Sequence, residues 1–225
     1  MYLISRFLLA TAPVVLFMSP VAAQKAVSLA PFSSVETHDG AHVVVQHGPT
    51  QRVTLLKGSL DCSAVSIADG GRLVIEKYKS RCPERYQLEV EIVTPDIARI
   101  SVADGGWIQS RGSFPRQAEI RVAVESGGTI DIRSMAVDTV TASVNSGGRI
   151  FTRPQIAMSA SVADGGIITY WGAARVTRSI QRGGVITRGT AAEASQPLSK
   201  VDPALSAVPP IPPVPSIQPI RNHWR

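Results

Sequence analysis

Between residues 117 and 152 the chain alternates. Ile120, Val122 and Val124 take turns with Glu119, Arg121 and Ala123; past Gly127-Gly128, Ile130 and Ile132 take turns with Thr129 and Asp131. A period of two on both sides of a glycine pair predicts two short β-strands, each with one buried face, joined by a sharp bend. The pattern recurs: Val140, Ala142 and Val144 lead into Gly147-Gly148 with Ile150 beyond, and Ala160 and Val162 lead into Gly165-Gly166 with Ile168 beyond. No stripe of helical period runs through these stretches, and two glycines per unit would cost a helix about 1 kcal/mol each.

Aligning the chain on its glycine pairs makes the repeat explicit. The units are "SIADGGRLV" at Gly70-Gly71, "SVADGGWIQ" at Gly105-Gly106, "AVESGGTID" at Gly127-Gly128, "SVNSGGRIF" at Gly147-Gly148, "SVADGGIIT" at Gly165-Gly166 and "SIQRGGVIT" at Gly183-Gly184. The steps are 35, 22, 20, 18 and 18 residues. A period near twenty is too short for helical-pair repeats and lacks the leucine-rich consensus. It predicts an all-β fold, a right-handed parallel β-solenoid whose coils turn at the glycine corners. Glycine suits a corner that needs positive φ and no Cβ beneath its neighbour; the competing reading makes each pair a hairpin turn. Residues 32–95 are less regular, with "HDGAHVV" at Gly40 as a degenerate first corner, and are expected to close one end of the stack.

Both ends of the chain read differently. Arg6, an apolar run over residues 7–18 and Val21-Ala22-Ala23 form a signal peptide over residues 1–23, with cleavage before Gln24. The head domain then spans 24–189. From 190 to 225 the repeat stops and prolines at 203, 209, 210, 212, 213, 215 and 219 predict a disordered or polyproline II tail, a spacer or a ligand for a protein partner's aromatic groove. No later stretch is apolar enough to span a bilayer, so the mature chain is expected in the periplasm or outside the cell.

Export changes how two other features are read. In an oxidising compartment Cys62 and Cys82, with no third cysteine competing, are expected to form a disulfide. The formal charge of +6 leaves 22 basic and 17 acidic residues once Arg6 is gone, which favours anionic polysaccharide or another envelope polymer as partner. Aromatics are sparse and no basic run reaches four residues, so nucleic acid is not expected.

"FSSVETHDGAHVVV", "LVIEKYKS", "YQLEVEIVTPDIARISVADGG" and the serial Ser-Gly-Gly corners together resemble the autotransporter adhesin head domain family, the head GIN domain. The segment Ile92-Val93-Thr94-Pro95-Asp96-Ile97 is similar to that family's "I-x-x-P-x-L" strand, and the likeness runs from Phe32 to Gly189. The resemblance implies an extracytoplasmic β-helix-like domain and an adhesin-like role. An autotransporter also carries a membrane barrel, and where it would stand this chain has the proline tail, so self-export is not expected.

Candidate chemistry is sparse. Five residues past the second glycine stand Arg111, Arg133 and Arg153, and in the next unit Trp171. Stacked units would align these four as a column, the arginine forks matching carboxylate or phosphate and the indole stacking on a sugar ring, unless Asp131, Glu119 or Asp138 neutralise it. Asp69, Asp104 and Asp164 precede three corners and read as turn caps; calcium or glycosidic catalysis would need them clustered. His38 and His42 lie about 13 Å apart on a strand and His47 falls on the other parity, so no zinc site is expected. Ser126, Ser146 and Ser159 have no histidine nearby in sequence. No cofactor is expected. The reading is therefore an exported binding module for an anionic glycan or envelope polymer. A polysaccharide-cleaving β-helix and a self-assembling envelope protein are the alternatives.

Overall fold

The computed structural model describes residues 25–78, 82, 83 and 85–194. The expected signal peptide and residues 195–225 of the proline tail lie outside them. One unit runs through Arg188 and a second begins at Gly189.

The described residues of the first unit form an all-β structure built from two mixed sheets. Among the described residues, the nine-stranded sheet has the order β1 (Lys25–Val27), β4 (Arg52–Lys57), β7 (Glu89–Thr94), β3 (His42–His47), β9 (Trp107–Arg111), β11 (Thr129–Asp131), β13 (Arg149–Thr152), β15 (Ile167–Tyr170), β17 (Val185–Arg188). The eight-stranded sheet has the order β16 (Arg175–Arg182), β14 (Pro154–Asp164), β12 (Val137–Ser146), β10 (Gln117–Ser126), β8 (Arg99–Val102), β2 (Ser34–Thr37), β6 (Arg72–Lys77), β5 (Ser63–Ala68).

From Arg99 onward, each repeat unit adds one parallel strand to each sheet. Equivalent residues therefore face one another: Ile130 pairs with Ile108 and Ile150, Ile150 with Ile168, and Ile168 with Ile186. The other sheet stacks Val102, Val124, Val144 and Val162 in the same way. Every member of both columns is buried in one continuous core. Each fully buried isoleucine or valine contributes about 1.5–3 kcal/mol, so period-two alternation becomes stability through the register.

The two glycines of a corner are required for different reasons. Gly147 has φ +66 with nothing within 4 Å of where a Cβ would stand, so only its left-handed backbone calls for glycine. Gly148 has φ +90, and a Cβ there would lie 2.5 Å from Val124 Cγ1 and 2.9 Å from the Gly128 carbonyl oxygen of the unit beneath. Backbone hydrogen bonds stitch the stacked corners: Gly127 N–H donates to Ser146 at 2.9 Å and Arg149 N–H to Gly128 at 2.9 Å.

Gly70 and Gly71 do not continue this series. They join β5 to β6, which pair antiparallel, and so form a hairpin turn. Both have positive φ, as a tight hairpin of this handedness requires, but no second corner presses on Gly71, whose nearest neighbour across the gap is Pro31 O at 3.8 Å. The unit that sits below Gly105 is instead the one around Gly40: β2 pairs β8 and β3 pairs β9, both parallel. Residues between these two units supply β4, β5, β6 and β7, and antiparallel strands β1 and β5 end the two sheets on that side.

Cys62 and Cys82 are thiols in this structure. They are close: Cys82 Sγ donates to the Cys62 carbonyl at 2.9 Å. Burial, and then the neighbouring Cys62, push the Cys82 thiol up to about 11. In the second unit, α1 (Ala191–Ala194) opens with a capping box in which Thr190 N–H and Oγ1–H donate to Glu193 Oε2 at 2.7 and 2.9 Å. Those bonds hold the Glu193 carboxyl below its usual range.

Candidate functional site: an arginine row and its cleft

The parallel register places Arg111, Arg133, Arg153 and Trp171 at equivalent positions, each two residues beyond the paired Gln109, Asp131, Phe151 and Thr169. Their surroundings differ. Arg111 and Arg153 are exposed. Arg133 is folded onto Asp131, donating from Nε to Oδ1 at 2.9 Å and from Nη2 to Oδ2 at 2.8 Å, with side chains 10% and 5% exposed. Its guanidinium also lies 5.2 Å from the Trp171 ring centre and 5.7 Å from that of Phe151. Trp171 is itself buried and packs on Phe151, so its ring is covered by protein and does not face a ligand. The middle of this column is a packed charge pair, leaving two separated arginines on the surface.

A second row, on the eight-stranded sheet, was not among the expected sites. Arg121 pairs with Arg99, Arg99 with Ser34, and Ser34 with Arg72. The row faces outward because its chain neighbours Val122, Ile100, Val35 and Leu73 fill the core. Strand spacing sets Arg99 and Arg121 about 5 Å apart at the backbone and Arg72 about 10 Å beyond Arg99. Arg72 reaches Glu36 at 3.4 Å and Arg121 reaches Glu119 at 3.0 Å. Arg99 pairs with no carboxylate among the described residues. Beside the row is a cleft of ≈ 490 Å³, lined by Asp69, Arg72, Ser34, Arg99, Glu119 and Arg121 among others.

Ser34, Arg99 and Arg121 each stand six residues before the first glycine of their corner, at Gly40, Gly105 and Gly127. Alignment on the residues before the bend would have found them. Arg72 carries no such signal, because it enters the row through the β5–β6 hairpin.

The remaining polar candidates are dispersed. His38 Nε2 meets Glu36 Oε1 at 2.7 Å, His42 lies against Trp107 with ring centres 5.1 Å apart, and His47 Nδ1 meets Pro95 O at 3.2 Å. Among the described residues no three histidines, cysteines or carboxylates form a group able to hold a metal. The cleft's two carboxylates, Asp69 and Glu119, stand on elements three strand spacings apart, roughly 14 Å at the backbone. No helix among the described residues is long and apolar enough to cross a membrane.

The family model described as "Putative auto-transporter adhesin, head GIN domain" matches residues 31–150, the stretch that holds the arginine row. Solved structures of similar fold include a "putative adhesin" from Bacteroides fragilis NCTC 9343, 14% identical with a TM-score of 0.47, covering 74% of this chain and 96% of that one. Another is a "putative lipid binding protein" from Parabacteroides distasonis ATCC 8503, at 13% identity and TM-score 0.40, covering 75% and 96%. A third is a "putative cell adhesion protein" from Clostridium sporogenes ATCC 15579, at 6% identity and TM-score 0.38, covering 74% and 98%. No curated protein matches the chain.

Proposed function

Because the chain belongs to the auto-transporter adhesin head GIN domain family, we propose that it is an exported, adhesin-like binding module that engages an anionic glycan or envelope polymer. The observation that carries the ligand class is the in-register row Arg72, Ser34, Arg99, Arg121. Like charges directly opposite on neighbouring strands destabilise a sheet, and while Glu119 engages Arg121, no carboxylate among the described residues pairs with Arg99. An anion lying across the two forks removes that repulsion and accepts bidentate hydrogen bonds.

In this reading the serial units are the coils of a right-handed parallel β-solenoid. A leader over residues 1–23 directs export, the proline-rich segment after 190 acts as a spacer or partner ligand, and Cys62 and Cys82 close as a disulfide in the oxidising compartment. The family is described as an adhesin, and binding without turnover is the role assigned to the row.

The test is co-sedimentation of the full exported chain with purified peptidoglycan and with lipopolysaccharide across a salt series. Saturable binding that weakens steadily with salt is expected, since exposed charges are screened beyond about 10 Å at 0.1 M. No binding at low salt would overturn the proposed ligand class.

A further inference from the structure

The row alone describes attraction to negative charge. The cleft beside it has more chemistry than that. Its volume, ≈ 490 Å³, lies within the range of sites that take one small ligand. Arg99 presents its planar fork beside Arg121, whose Nε donates to Glu119 Oε1 at 3.0 Å and whose remaining N–H groups face the same cleft, while Asp69 in the turn before β6 and Glu119 on β10 stand at the two ends of the row and can only accept hydrogen bonds when ionised. Ser34 OH lies between Arg72 and Arg99. A simple anion such as phosphate gains from the forks and is repelled by the two carboxylates. A ring bearing one carboxylate and several hydroxyls suits the groups around Arg99 and Arg121: its carboxylate meets the guanidinium groups, and its hydroxyls can donate to Glu119 and meet Ser34.

We infer that this cleft is a subsite for a single acidic sugar residue of the uronic acid kind, with Arg99 and Arg121 holding its carboxylate and Glu119 and Ser34 its hydroxyls. The inference rests on the module reading above and names the unit of the glycan that is recognised. It assigns Glu119 a role opposite to the one it would have at a purely electrostatic site. There, Glu119 weakens binding and its neutralisation helps; here, Glu119 accepts hydroxyl protons and its neutralisation hurts.

The experiment is titration calorimetry of the full exported chain with tetragalacturonate, its methyl ester and inorganic phosphate. Tetragalacturonate is expected to bind, with affinity at least about ten-fold weaker for the ester and for Arg99→Ala, which removes a charged bidentate donor. Arg99→Lys, which keeps the charge and loses the fork, should be impaired as well. Glu119→Gln should weaken tetragalacturonate about five-fold, the worth of one hydrogen bond, while strengthening phosphate. Arg153→Ala, in the connection between β13 and β14, should change neither. Tighter tetragalacturonate binding by Glu119→Gln, unaltered binding by Arg99→Ala, or phosphate binding as tightly as the sugar would each overturn the subsite. In those cases co-sedimentation with envelope polymer would persist and the module reading would stand; loss of all polymer binding by the unaltered chain would remove both.

Discussion

At the scale of single residues, the Gly-Gly corner divides its requirements between its members. At Gly147 the backbone alone demands glycine, so Gly147→Ala should cost the 1–2 kcal/mol or so of placing a side chain in the left-handed region. At Gly148 the added methyl would also meet Val124 and the Gly128 carbonyl of the unit below, and that carbonyl belongs to a stitched backbone that cannot withdraw. Gly148→Ala should therefore cost about 3–5 kcal/mol, strain and overpacking together. Urea midpoints of the two variants measure the difference; equal losses would mean that the bend, and not the stacking, makes the second glycine necessary. The corners at Gly105, Gly127, Gly147, Gly165 and Gly183 were legible because both requirements act on the same short word. Gly70-Gly71 takes the competing hairpin geometry, which also asks for positive φ, and the sequence writes the two geometries alike. What separates them is the partner of the strand beyond the bend: at Gly70-Gly71 it is the strand just before the turn, and at the corners it is a strand of the neighbouring unit.

At the scale of elements, period-two alternation marked the strands, and parallel stacking at near-constant steps followed from their spacing. The insertion between Gly40 and Gly105 was harder to read. Its strands pair both parallel and antiparallel, β7 with β3 one way and with β4 the other, so no single repeat length describes them. The two cysteines sit in this insertion, one just before β5 and the other between β6 and β7. Their proposed bond makes a definite expectation. The exported chain should have an intact mass two hydrogens lower before reduction than after, and reduction should expose two alkylatable groups. Once reduced, Cys82, with its thiol held up at about 11, stays protonated near neutral pH. Because the thiolate is the nucleophile, its alkylation should be slow at pH 7 and accelerate as pH rises towards 11. An unchanged mass on reduction would dismiss the bond.

At the scale of the whole molecule, the charge balance indicated an anionic partner, but placing the surface required the register. The column read from sequence counted forward from each glycine pair and landed on Arg133, whose charge Asp131 absorbs, and on Trp171, which the core covers. Counting forward ignored burial, which depends on how the last units pack. The row at Arg72, Arg99 and Arg121 spans two repeat units and one arm of the inserted hairpin, so only the assembled sheet brings its members together.

The last strand of that sheet, β16, has a consequence for the molecule's size. In the core column Ile100, Val122, Ala142 and Ala160, the side chains shrink and the next position is Arg178, whose guanidinium donates to the Tyr170 hydroxyl and lies 5.5 Å from the Tyr170 ring centre. Ile180, two residues along, is 48% exposed. A parallel edge with an apolar residue open to water is a template for polymerisation, and a charge turned toward the interior is a known way of refusing the next layer. Arg178 in this place is expected to act as a terminator, opposing the addition of a further layer at this edge. Arg178→Ala should make the sedimentation coefficient climb more steeply with concentration than that of the unaltered chain. If it does not, the limit on growth lies elsewhere, and the repeat's arithmetic alone would not explain why the array ends where it does.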